Sequence, residues 1–101
     1  MIKNFMLFEK INQGEPGVDD YVICENYENY IDSWNKVISK TIGRIVRIDI
    51  ADSYTVLYVP PIFDAKGEIH TTYNFLIEDI KYWSKDKQDL QEILDAEKFG
   101  L

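Results

Sequence analysis

From Arg44 to Phe75 the apolar residues recur at every second position, and this period constrains the fold more than any other feature of the chain. "RIVRIDI" sets Val46, Ile48 and Ile50 on one face and Ile45, Arg47 and Asp49 on the other. "ADS" is a turn, and "YTVLYV" runs to the breakers Pro60 and Pro61. "EIHTTYNF" then follows the turn residues "DAKG", with Ile69, Thr71, Tyr73 and Phe75 alternating against Glu68, His70, Thr72 and Asn74. Period-two runs bounded by turn residues and prolines predict strands joined as hairpins, here a three-stranded antiparallel meander.

Upstream the period is helical. With Asn26 as N-cap, Tyr27, Tyr30, Ile31, Trp34, Val37, Ile38 and Thr41 fall within an arc of about 120° at roughly 100° per residue. Glu28, Asp32, Lys36 and Lys40 fall opposite. The acids precede the lysines, as the helix dipole favours, and Gly43 stands where a left-handed C-terminal cap belongs. A second helix is predicted near the end of the chain, capped by Asp86, striped by Leu90, Ile93 and Leu94, and stopped by Gly100. "LIEDIKYW", Leu76–Trp83, fits either an extension of the third strand or a helix. "YVIC" at Tyr21–Cys24 is a short β-prone run, and "NQGEPGVDD" before it is a loop. The expected architecture is a single α+β domain over residues 1–101, with residues 1–20 an N-terminal segment and loop of open conformation. A helix is followed by a three-stranded antiparallel meander, and the C-terminal helix or helices pack on the same sheet face.

The chemistry starts from what is missing. The five glycines are scattered, so no phosphate-cradling loop is read, and one His and one Cys cannot make a zinc site. A Cys24–His70 dyad is formally possible, but a small buried hydrophobe and a strand residue are the simpler reading. The adjacent pairs Asp19–Asp20 and Glu78–Asp79 do not make an acid–base constellation, because neighbouring side chains diverge on strands and helices alike. The expectation is a non-enzymatic protein with no cofactor and no metal. No apolar run approaches the roughly 20 residues of a membrane span, and "MIKNFMLF" lacks the features of a signal peptide, so a cytoplasmic location is expected.

Charge ranks the remaining functions. Eighteen acids against eleven Lys and Arg give a formal charge of −7, with the ends acidic and the middle basic. Direct binding to nucleic acid or to anionic membranes is disfavoured. On the last helix Asp89, Glu92 and Asp95 recur every third residue beside Asp86, Glu25, Glu28 and Asp32 lie in and before the first helix, and Glu15, Asp19 and Asp20 lie in the preceding loop. Carboxylates spaced roughly 5–7 Å apart resemble the phosphates of a nucleic acid strand, and such a surface fits a groove lined by Arg and Lys. The candidate partner-binding residues are therefore Glu25, Glu28, Asp32, Asp86, Asp89, Glu92 and Asp95. The expected partner is a protein with a basic surface, such as a nuclease, a CRISPR effector or a toxin. In composition and expected layout the chain resembles, in broad character, phage inhibitors of host nucleases and CRISPR effectors and bacterial toxin-neutralising immunity proteins. No motif is shared with them and no residue role is carried over. A different reading makes it a small-molecule or nucleotide binder with a pocket of Tyr54, Tyr58, His70 and Tyr73. A third makes it an assembly subunit, since exposed meander edges allow a homodimer.

Overall fold

A computed structural model of the chain describes residues 11–25, 36–63 and 66–100. Five strands, β1 (Tyr21–Cys24), β2 (Gly43–Ile48), β3 (Ser53–Phe63), β4 (Ile69–Leu76) and β5 (Ile80–Ser84), form one sheet in the order β4-β3-β2-β1-β5. Every neighbouring pair is antiparallel. A 3-10 turn, Ile77–Asp79, links β4 to β5, and a helix, α1 (Lys87–Lys98), follows.

This corrects the expected architecture. The sheet has five strands rather than three, because "YVIC" pairs with β2 on one side and β5 on the other. "LIEDIKYW" is neither a longer β4 nor a helix. Asp79 folds back so that its carboxylate accepts the Leu76 N–H at 3.1 Å, which closes a turn and sends the chain into β5. The two helical regions also lie on different faces. Val37 and Ile38 pack with Val22, Cys24, Ile45 and Tyr58, whereas Leu90, Ile93 and Leu94 of α1 pack with Ile23, Tyr21 and Tyr82. Successive residues of β1 point to opposite sides, so a four-residue strand buried on both faces serves both layers. Of the predicted first helix, residues 26–35 lie outside the described residues; residues 36–38 are helical.

The connection from β4 to β5 dictates the shape of the sheet. Four flat strand spacings of about 4.8 Å would hold the two edges about 19 Å apart, yet the four Cα steps from Leu76 to Ile80 reach at most about 14 Å. The sheet therefore curls toward a partly open barrel. Its inside is the larger core of Val22, Cys24, Ile45, Tyr54, Val56, Tyr58, Phe75 and Ile80, closed by Ile38; α1 covers part of its outside.

Two local features depart from the sequence pattern. Ile45 pairs with Val56 and Arg47 with Thr55, so Val46 is a bulge, and Ile45 is the buried side chain of β2 while Ile48 and, beyond the strand, Ile50 are exposed. β3 does not stop at Pro60 and Pro61. Its pairing with β4 jumps from Leu57↔Thr72 to Ile62↔His70, and both prolines sit in that irregularity, where they owe the ladder no N–H. Gly43 opens β2 without a left-handed backbone: a Cβ there would overlap Val56 Cγ1 and fall 2.9 Å from Tyr58 Cε1, so close approach explains the glycine.

Candidate functional site

The end of β5 and the start of α1 are built around one serine. Ser84 Oγ donates to Asp89 Oδ2 at 2.8 Å and accepts the Asp86 N–H at 3.1 Å. Asp86 is the N-cap of α1, its carboxylate accepting the Gln88 N–H at 3.0 Å. Asp86 and Asp89 thus satisfy helix N-terminal donors or the groups that position them, and both lie at the positive end of the helix dipole.

Across from this junction the loop at residues 12–20 docks on two strands. Asn12 grips β5: its N–H donates to Trp83 O at 2.8 Å, its Oδ1 accepts the Trp83 N–H at 2.9 Å, and its Nδ2 donates to Lys81 O at 3.3 Å. Trp83 Nε1 donates to Gln13 O. At the other end of the loop the Asp19 N–H donates to Ile45 O, and the Ile45 N–H to Asp20 O. The Asp20 carboxylate accepts the Gly17 N–H at 2.8 Å, and Asp19 pairs with Arg44 at 2.9 Å. Between loop and helix lies a depression of about 420 Å³ lined by Gln13, Gly14, Glu15, Asp20, Trp83, Ser84, Lys85, Asp86 and Asp89. Four carboxylates meet one lysine there. Residues some 70 positions apart supply them.

The sequence-predicted site residues divide accordingly. Asp86 and Asp89 line this depression, Asp86 exposed and Asp89 buried at 7% exposure. Glu92 and Asp95 are exposed further along α1, and Asp95 accepts from Gln91 at 3.1 Å. At about 1.5 Å per residue they rise about 9 and 13.5 Å from Asp86 along the helix axis. Glu25 is apart from them, its carboxylate paired with Lys81 at 3.0 Å. Burial pulls the Lys81 ammonium toward its neutral form, but the Glu25 hydrogen bond and charge outweigh this and hold it above its ordinary value. Glu28 and Asp32 lie outside the described residues. Glu15 and Asp20 join the depression from the loop, and Ser84 was the unforeseen member. Its only sequence signal is the Asp86-to-Asp89 spacing of a capping pattern, which marks a helix start without saying which side chain it gathers.

On the other side of α1 a wider groove of about 770 Å³ runs between the helix and the β3 irregularity. Its lining includes Ile42, Leu94, Val59 and Pro60, with Lys40, Lys87 and Lys98 beside Asp95 and Glu97. The helix therefore separates an acidic depression from a mixed groove.

The other readings weighed from sequence meet the geometry as follows. Cys24 is fully buried on β1 and His70 lies on β4, three strand spacings or about 14 Å away in sheet order. Burial drives the Cys24 thiol far above its ordinary value and holds it neutral. Tyr54 and Tyr58 fill the core, and Tyr73 packs its ring on Phe75 at 4.9 Å. Asp79 is a turn residue, and Glu78 is exposed. Among the described residues no three His, Cys, Asp or Glu side chains gather as metal ligands, and no helix is long and apolar enough to cross a membrane. Comparison of the chain with protein-family models, with curated proteins and with solved structures gives no match.

Proposed function

We propose that the protein acts by binding rather than by catalysis, offering the acidic side of α1 and the depression beside it to a basic surface on another protein. The observation that carries this reading is the convergence of Glu15, Asp20, Asp86 and Asp89 around one concavity. Asp20 and Asp89 are committed to internal hydrogen bonds and shape the walls, while Glu15 and Asp86 stand at the surface and Glu92 is exposed further along the helix; Asp95 faces the mixed groove beside Lys87 and Lys98 and is not part of this surface. A lysine or arginine side chain entering such a concavity exchanges water for carboxylate partners, and guanidinium matches them in pairs. The partner class that fits is a nucleic-acid-binding protein whose groove is lined by Arg and Lys, of which nucleases, CRISPR effectors and toxins are examples. Blocking that groove makes the protein an inhibitor.

The test uses substitutions that remove charge and keep the fold. Asn at position 86 retains N-cap competence, and exposed Glu15 and Glu92 tolerate amides. Binding of an arginine-rich peptide should weaken steeply with salt and fall at least about tenfold in the combined E15Q, D86N, E92Q variant, which corresponds to about 1.4 kcal/mol. Unchanged affinity in that variant contradicts the reading.

A further inference from the structure

The face of α1 turned away from the acidic depression carries cations. At roughly 100° per residue Lys87, Gln91, Leu94 and Lys98 fall within an arc of about 60°, and Asp95 and Glu97 flank that stripe on either side. All six line the groove of about 770 Å³. Lys87 and Lys98 stand three turns apart, about 16.5 Å at roughly 1.5 Å per residue, with Leu94 between them. Lys40 lines the opposite bank, where Ile42 and Val59 add apolar surface.

The lysines of this groove have no countercharge of their own. Elsewhere Arg44 pairs with Asp19, Arg47 with Asp49 and Lys81 with Glu25. Among the described residues no carboxylate lies within ion-pair distance of Lys40, Lys87 or Lys98, although the molecule carries a formal charge of −7. Asp95 accepts instead from Gln91 at 3.1 Å, and Lys98 Nζ lies 5.8 Å from the exposed Phe99 ring. Three ammonium groups around an apolar strip complement a ligand that is anionic at its ends and apolar between them.

We infer that this groove binds an extended acidic segment of another protein, with Asp or Glu at its first and fifth positions and an apolar residue at its third. Alternate side chains of an extended chain share one face, so these three positions enter the groove together. Four steps of about 3.3 Å set the end positions about 13 Å apart, and the flexible side chains of Lys87 and Lys98 reach inward to meet them. The third residue then lies against Leu94 and Ile42. Asp95 and Glu97, at the edges of the stripe, repel a carboxylate displaced sideways and so hold the segment in line. A small organic anion fits less well. Lys40, Val59, Lys87 and Lys98 are all exposed, so the groove is a surface trough, whereas small-molecule sites enclose most of their ligand. The acidic depression lies on the other side of α1 and takes a ligand of opposite charge.

NMR titration of the full chain with the acetylated and amidated peptide Glu-Ser-Leu-Ser-Glu tests the inference. Saturable shifts are expected at Ile42, Gln91 and Leu94, and affinity should fall at least about threefold when both glutamates of the peptide are replaced by glutamine. The double variant K87Q, K98Q should lose affinity to the same extent, and its circular dichroism and melting temperature should stay close to the parent because both positions are exposed. K85Q, which removes a lysine at the acidic depression, should hold affinity within about twofold at physiological ionic strength. The arginine-rich peptide should bind the K87Q, K98Q variant at least as tightly as the parent, so the two readings fail separately. Absence of saturable binding of the acidic peptide overturns the inference. So does binding that K87Q and K98Q together leave intact, or an oligothymidylate of five nucleotides that binds more tightly than the peptide.

Discussion

Ser84 Oγ and Asp89 Oδ2 lie 2.8 Å apart in a buried hydrogen bond, so the middle of the predicted acidic stripe on α1 is turned inward to hold the helix on β5. Asp89 is thereby a fold residue that also forms a wall of the candidate site. D89A should cost about 1–3 kcal/mol in urea unfolding, the usual effect of removing one partner from a buried charge-assisted bond. D89N, which keeps an acceptor for Ser84, should lose less. On a basic probe, D89N should change affinity less than E15Q or E92Q, because its carboxylate is already engaged.

Gly43 gives the sharpest stability prediction. A methyl group there must displace Val56 and Tyr58, both fully buried. G43A should destabilise by about 1–3 kcal/mol, the range for overpacked cores. Had this glycine been a left-handed helix cap, alanine would strain the backbone without touching the core. A V56A change made together with G43A should recover part of the loss relative to the sum of the two single effects, as expected for residues in contact.

How much of this was legible in sequence follows from which interactions are local. The α1 boundaries were readable because Asp86, the Leu90–Ile93–Leu94 stripe and Gly100, with φ of +72°, act within a few residues of themselves. The role of β1 was not. Val22 and Ile23 are both buried, so "YVIC" shows no alternation, and only the arrival of β5 sixty residues later makes it an inner strand. The faces of β2 were misassigned at one bulge: with Val46 as the extra residue, Ile45 opposite Val56 shares the face that Ile48 takes opposite Tyr54. The candidate site was half visible: its carboxylates could be named, but the meeting of Glu15 and Asp20 with Asp86 and Asp89 depends on the loop docking through Asn12 and Asp19, which no local pattern encodes.

The buried thiol and phenol should set the alkaline limit of stability. Tyr58 Oη lies beside the Cys24 thiol and finds no hydrogen bond of ordinary geometry among the described residues. Burial holds both groups neutral well above their ordinary values of 9.0 and 10.0. Unfolding releases them to titrate normally, so their contribution is intact below about pH 9 and is lost as pH rises through the values held in the folded state. Melting temperature should be level with respect to these groups up to about pH 9 and then fall, each group contributing about 1.4 kcal/mol per pH unit beyond its ordinary value. Y58F removes a buried hydroxyl and should leave stability at pH 7 unchanged or raised while making the alkaline decline shallower. Cys24 should resist thiol reagents until the protein is unfolded.

The central claim, that the side of the molecule formed by α1 and the residue 12–20 loop receives a basic partner, is tested most directly by residue-resolved NMR titration with an arginine-rich peptide at low and raised salt. The account predicts amide shifts concentrated at Gly14, Glu15, Trp83, Lys85, Asp86 and Glu92, all fading as salt increases. Shifts spread evenly over the surface, or centred away from this side, would contradict it.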